Sequence, residues 1–444
     1  MNIQQNNDII QMIKTNVNKF YETIRSIFTD QFRKSQVKSL ALVVTAILLA
    51  REVTSTVIGE AIAQLEGIQK KSGMNRFHRL LRNMRVTVEG IGFALLKFLD
   101  LVGFLKGIRL IVSLDWTDWS KSLRFLIASI GIDSRAVPIL ARRYDREVKE
   151  VGSKNKVENE FVERLKEFAS KLGKRLLILA DRGFNRRSLI RLLKSKGIDF
   201  VVRLTKNIKV RVKGKEFLLK DSKLKPGMVR DYGEVRIGSE RKVKERVKVR
   251  VIGVWAKGQK EPWWLATNLE GRVEEIIALY DRRFSIEEQF RDEKNGRFGL
   301  GLQWTEFKES IRIEKLIVLV GVAMVVWYSV GGCEAKKDPT SRLESKKGYG
   351  LSLLRVGMDT LTNPIGCLNY LGKVTVQFIA KYMPKVRFRI FQWVIEYINH
   401  NPTLRKQRKS DRSVLRDVRH IKIYCDPKPR DNYKRTKRRK GHKS

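Results

Sequence analysis

Residues 109–144 read RLIVSLDWTDWSKSLRFLIASIGIDSRAVPILARRY. Three apolar runs, RLIVSLDW, SLRFLIASIGI and AVPILARRY, follow one another with short polar links. Runs rich in Val, Ile, Leu and Phe and bounded by turn residues are expected to form three consecutive strands. The pattern continues downstream. Helical spacing covers Glu158 to Leu172, and RLLILAD is a buried strand run ending on Asp181. Arg186 to Lys196 reads as a helix and DFVVRL as a further strand.

Three strands, then helix, strand, helix and strand, is the element order of an α/β ribonuclease H-like core. Residues 206–270 break that order. KVRVKGKEFLL, MVRDYGEVRI and VKVRVIGVWA alternate apolar with charged residues, and WWLATNL closes the series. This predicts an inserted antiparallel β subdomain with one wet, basic face. Helical patterning resumes from Val273 through Lys294 and again from Ile311 to Trp327. Upstream, Ile9, Ile13, Val17, Phe20, Ile24 and Phe28 recur at helical spacing, and residues 8–104 read as all-helical. In MNRFHRLLRNMR, Arg76, Arg79, Arg82 and Arg85 recur every third residue. They are expected on one face, either as a DNA-binding face or as a solvated one. The expected division is a helical DNA-binding domain over 1–105, core over 106–205, β insertion over 206–270, core again over 271–335, and a helical, basic C-terminal region over 336–444. Within that region, 331–350 reads as an exposed link and 351–371 and 374–398 as small helices. The end, YKRTKRRKGHKS, has the composition of a disordered tail.

Charge narrows the class of function. The chain of 444 residues has 92 Lys and Arg against 47 Asp and Glu, a net charge of +45. Such an excess repels itself unless polyanions neutralise it, and nucleic acid is the obvious one. Cys333, Cys367 and Cys425 are far apart, as are His78, His400, His420 and His442, which argues against a zinc site and a disulfide framework. The polar start, MNIQQNNDII, lacks the basic-then-apolar order of a signal peptide. The longest apolar run, Leu316 to Tyr328, is too short to span a bilayer and reads as a buried helix. Cytoplasmic, nucleoid-associated residence without a membrane is the expectation.

Two aspartates follow apolar strand runs, Asp115 after RLIVSL and Asp181 after RLLILA. Strand ends form the rim at which open α/β sheets bind ligands. Either residue alone also fits a turn or a helix cap, and Asp118 competes with Asp115. Tyr280, Arg283, Glu287 and Lys294 stand at offsets that fall on one narrow helical stripe, while Glu288 points to the other side. A carboxylate beside a phenol, a guanidinium and an ammonium suits metal and phosphate binding. The same stripe also fits ordinary ion pairs, and a capping box at Ser285 and Glu288 would restart the helix.

Tyr280, Arg283, Glu287 and Lys294 together reproduce the Y-x2-R-x3-E-x6-K signature, and the chain thereby resembles the YREK branch of DDE-type insertion-sequence transposases (the insertion-sequence-four group). SLDWTD and LADRGF resemble the family's first and second acidic segments, with spacings of 66 and 106 residues to the next acid. The resemblance covers roughly residues 108–330. It implies that Asp115, Asp181 and Glu287 are catalytic and hold two Mg2+ ions, with Mn2+ as a substitute. It implies that Tyr280, Arg283 and Lys294 grip phosphates, that Phe284 supports a flipped base, and that Trp263 or Trp264 probes the vacated space. Strand packing explains the two tryptophans equally well. The implied activity is cut-and-paste transposition at terminal inverted repeats, acting on double-stranded DNA of transposon ends and target, as a homodimer, with a hairpin intermediate left open. A nuclease without strand transfer, and a non-catalytic basic DNA-binding protein, are the competing readings.

Overall fold

The computed structural model describes residues 18–133, 135–145, 153–212, 214–238, 246–257, 259–294, 300–302, 305, 307, 309–337, 352–362, 369–370, 372–384, 387–404 and 422–426. These fall into two compact units. The first lies within Met1–Leu179 and Arg283–Arg387, the second within Ala180–Arg282, Phe388–Arg416 and Lys422–Ser444. Ile9, Ile13, Val17 and the YKRTKRRKGHKS tail lie outside the described residues.

In the first unit, helices precede a sheet. A helix through 18–28 (α1) leads to α2 (Lys34–Ala50), α3 (Ser55–Glu66), α4 (Lys70–Arg82) and α5 (Val88–Leu101). The chain bends by 110° between α2 and α3. The sheet follows, with β1 (Arg109–Asp118), β2 (Leu123–Ile132) and β3 (Arg135–Asp145) as an antiparallel meander. Helix α6 (Lys154–Lys171) then returns the chain to β4 (Arg175–Ala180), and the strand order is β3-β2-β1-β4. Arg175 N–H donates to the Ile108 carbonyl at 2.7 Å, so β4 and β1 begin side by side, as a parallel pair does. The consecutive residues Leu110 to Leu114 are all buried, the pattern of a strand covered on both faces. Pro138 sits in β3, at the end of that strand order, where a missing amide is tolerated.

Helix α9 (Ser285–Lys294) packs on β1, β2 and β3. Helix α10 (Ser310–Lys337) packs on β3, α2, α5, α11 (Leu353–Thr362) and α12 (Val376–Tyr382). Its 28 residues are long and apolar enough to cross a membrane, yet its most apolar window is entirely buried inside the protein. The helix runs ten residues beyond Trp327, where the sequence pattern placed its end. Close packing explains the extension. A Cβ on Gly331 would lie 1.9 Å from the Leu353 carbonyl oxygen, and one on Gly357 would lie 1.8 Å from that of Trp327. Gly331, where the exposed link was expected to begin, instead lets α10 touch α11 backbone to backbone, and residues 338–350 of that expected link lie outside the described residues.

The second unit holds α7 (Arg187–Ser195), β5 (Asp199–Leu204), β6 (Lys209–Val212), β7 (Lys215–Leu218), β8 (Met228–Ile237), β9 (Val247–Trp255), β10 (Trp263–Thr267) and α8 (Val273–Asp281). Its strands run β5-β10-β9-β8-β6-β7, each antiparallel to the next. Arg236 and Lys248 are exposed between two buried apolar neighbours, and Lys209, Arg211 and Arg230 are exposed beside one. WWLATNL supplies the last strand of this series in chain order, as expected, and in space β10 lies between β5 and β9 with its five residues all buried. The 374–398 stretch also differs from the sequence pattern. It holds a strand, β11 (Arg387–Phe391), paired with β12 (Lys422–Asp426), before α13 (Gln392–His400).

Candidate active site

Asp115 is the seventh residue of β1. Alternation along the strand turns it away from buried Leu114, and its side chain keeps 18% of its exposure. Its Oδ1 accepts from the Trp116 N–H at 2.8 Å. Its Oδ2 accepts from Arg283 Nη1 at 3.2 Å, and Arg283 Nη2 donates to Glu287 Oε1 at 2.6 Å. One guanidinium, 4% exposed, therefore bridges two carboxylates in the first unit. A charge this deeply buried persists only when paired, and the planar fork of Arg suits two acceptors at once.

The stripe expected on one helix is broken. Helix α8 ends at Asp281, Arg282–Phe284 form a 3-10 turn, and α9 starts at Ser285. The turn still leaves Arg283 and Glu287 four residues apart and in contact. It separates them from Tyr280, which belongs to the second unit. Tyr280 is fully buried, edge-to-face with Trp263 at 5.2 Å between ring centres. Lys294 closes α9, and its side chain lies outside the described residues. Phe284 is half-buried, with the Arg283 guanidinium 4.6 Å over its ring. Trp264 is buried in β10, opposite Leu204 on one side and Gly253 on the other.

The neighbouring acids take other partners. Glu288 forms an ion pair with Arg135 of β3 at 3.4 Å. Asp118, with 67% of its side chain exposed, pairs with Arg124 directly across on β2. Asp181 lies in the second unit, immediately after β4. It caps the 3-10 turn Arg182–Phe184, accepting from the Gly183 N–H at 2.8 Å. A Cβ on Gly183 would stand 2.9 Å from Asp181 Oδ1, so glycine lets the carboxylate close down on the amide.

Residues 110–325 match the family model of the transposase DDE domain. The match starts on the second residue of β1, ends within α10 and contains Asp115, Asp181 and Glu287. Over this stretch, somewhat under half of its length, the chain is similar to a transposase DDE domain. No curated protein matches the chain.

DDE transposases generally use divalent metal ions. Among the described residues no group of three or more His, Cys, Asp or Glu side chains is close enough to hold one. Asp115 and Glu287 nevertheless fit such an ion. Both offer hard carboxylate oxygens, which suit Mg2+ or Mn2+, and both already share one cation, the Arg283 guanidinium.

Two features of the DDE-domain region escape sequence reasoning. Trp116 Nε1 donates to Glu158 Oε1 at 3.0 Å, with Lys154 Nζ 5.1 Å over the indole. Glu158 is 2% exposed, and this contact ties the end of β1 to α6 on the face opposite Asp115. In the second unit, Glu261 lies between Arg182 (3.1 Å) and Arg203 (2.7 Å). Both are contacts over long sequence distances, and no local pattern signals them.

Proposed function

We propose that the chain is a cut-and-paste transposase that cleaves and joins DNA at terminal inverted repeats, with Asp115, Asp181 and Glu287 as its catalytic acids. The observation that carries this reading is the Arg283 bridge between Asp115 and Glu287 inside the region matching the transposase DDE domain. The bridge brings together two acids 172 positions apart in sequence, and a two-metal phosphoryl-transfer site calls for carboxylates gathered from distant parts of the chain.

In this reading Asp115, Asp181 and Glu287 hold two Mg2+ ions, with Mn2+ as a substitute. Held by these carboxylates, divalent ions would supply Lewis-acid activation of a water or 3′-OH and charge stabilisation for an in-line displacement. The chain's own residues set the conditions. Asp115 and Glu287 must release Arg283 to become ligands. Their charge is then neutralised, and the Arg283 fork is free for a phosphate oxygen pair. Lys294 adds a second cation on α9. Tyr280 reaches a phosphate only after leaving its packing against Trp263. Phe284 would support a flipped base, and Trp263 or Trp264 would fill the vacated space, if strand opening goes through a hairpin. Double-stranded DNA is the partner, a homodimer the synaptic form, and the nucleoid the place of action. The helical segment over 1–105 serves DNA binding and 206–270 the β insertion.

Labelled element-end duplex, incubated with Mg2+ or with EDTA, tests this. Wild type is expected to cut and join only with Mg2+, and Asp181→Ala and Glu287→Ala to do neither. Cleavage that persists in those variants overturns the assignment. Cleavage without joined products would make the chain a nuclease.

A further inference from the structure

Trp116 follows Asp115 in β1, and alternation along the strand sends its side chain to the opposite face. Its backbone N–H donates to Asp115 Oδ1 at 2.8 Å. The peptide unit that carries this donor thus has the carboxylate on one side and the indole on the other. The Arg283 guanidinium on Asp115 Oδ2 is a separate side chain and can be exchanged for another cation. The amide stays with the strand, so the placing of Trp116 decides where one oxygen of Asp115 is pinned.

The indole is held on its N–H, its face and its edge. Its Nε1 donates to Glu158 Oε1 of α6 at 3.0 Å. Lys154 Nζ lies 5.1 Å over the ring, and Tyr144 of β3 packs against it in a T-shape at 5.9 Å between ring centres. The start of α6 is fixed by Ser153, whose hydroxyl accepts from the Lys156 N–H at 3.3 Å. Lys154 and Glu158 follow four residues apart and therefore share one face, with 3.8 Å between Lys154 Nζ and Glu158 Oε1.

Glu158 is 2% exposed. A buried carboxylate is unfavourable unless it is paired and hydrogen-bonded, and an apolar side chain of similar size would fill the same space without that penalty. What the carboxylate adds is direction, because a charged acceptor binds an N–H more tightly than a neutral one.

We infer that Glu158 is a positioning residue for a divalent cation at Asp115, acting through Trp116. It holds the indole, the indole fixes the amide, and the amide pins Asp115 Oδ1. Oδ2, the oxygen now on Arg283, is then left for the incoming ion. The inference rests on the reading of Asp115 as a metal ligand. Groups that orient a ligand in this way change metal affinity about 10- to 100-fold. A tie that only fastens α6 to β1 would change stability and leave that affinity alone.

The test titrates the full chain with Mn2+, reading free ion by electron paramagnetic resonance, and records melting temperatures alongside. Asp115→Asn should abolish the tightest binding. Glu158→Leu should weaken it about tenfold, and Trp116→Phe, which keeps a ring but drops the N–H, should match it. Glu158→Gln, which keeps an acceptor oxygen, should stay within about threefold of wild type. Trp116→Phe/Glu158→Leu should bind no more weakly than either single variant, since both remove the same bond. Leu165→Ala, fully buried on the same helix, should lower the melting temperature and leave Mn2+ affinity unchanged. Wild-type affinity in Glu158→Leu, an equal loss in Glu158→Gln or Leu165→Ala, or additive losses in the double variant overturns the proposal. If the wild type binds no Mn2+, or Asp115→Asn binds it equally well, the metal reading of Asp115 falls and this inference with it. Loss of the ion in Asp115→Asn with wild-type affinity in Glu158→Leu removes the role of Glu158 alone.

Discussion

The two units hold the carboxylates proposed as catalytic in different ways. In the first, Asp115 and Glu287 share a buried cation, Arg283. In the second, Asp181 rests on a backbone amide, that of Gly183. A shared cation leaves the pair of acids one negative charge in excess and can be exchanged for another cation. An amide is part of the chain and cannot be exchanged, so it fixes direction and leaves the charge uncompensated. A third carboxylate, Glu314 in the first unit, combines an amide contact with burial, and its remedy is a proton: its carboxyl is pushed up to about 7 by desolvation.

Each arrangement can be broken separately. The largest effect is expected from Glu287→Ala, which removes one of the carboxylates proposed to hold metal. Several kcal/mol of transition-state stabilisation correspond to about a thousandfold loss of Mg2+-dependent cleavage or more. Glu288→Ala, whose acid faces Arg135, should cut within about tenfold of wild type; equal losses would show that the register is misread.

Glu314 predicts a pH window. Its folded-state pKa is raised above the ordinary carboxyl value of about 4.5, so its contribution is fully present below about pH 4.5 and is lost as pH rises through about 7. The loss is at most about 3 kcal/mol. Urea titrations from pH 5 to 8 should show wild type weakening relative to Glu314→Gln, and parallel curves would refute the burial argument.

Arg283→Ala leaves two carboxylates facing each other without their cation. The cost is about 2 kcal/mol, at the low side for a buried pair because the Glu287 side chain is 42% exposed. Melting with and without Mg2+ should show greater stabilisation by the ion in this variant than in wild type. Equal stabilisation would mean that Arg283 does not compete for the site.

The smallest effect belongs to Gly183→Ala. Its Cβ would meet Asp181 Oδ1, so the carboxylate must rotate off the amide at a cost of about 1 kcal/mol. Cleavage should fall about tenfold with little change in melting, whereas unchanged cleavage would mean that the cap does not aim Asp181.

Where structure depends on neighbours in sequence, the reading was close. The β1–β3 meander follows from three adjacent apolar runs, and the register that sets Glu287 apart from Glu288 follows from helical geometry. The stripe from Tyr280 to Lys294 was legible only in part, because the periodicity continues through the 3-10 turn that interrupts the helix.

What the sequence determined by itself is therefore local: apolar periodicity, strand ends carrying Asp115 and Asp181, the spacing of Arg283 and Glu287, and a basic helix ahead of the sheet. The tertiary structure alone decided the rest. It placed β10 between β5 and β9, carried α10 on to Lys337, buried Tyr280 against Trp263, and set Arg283 against Asp115 and Lys315 against the end of α4. Each of these is a pairing of groups distant in the chain or a burial made by such packing. Its energy is the balance between what both partners lose on leaving water and what they gain by meeting, a quantity that no single stretch of residues encodes.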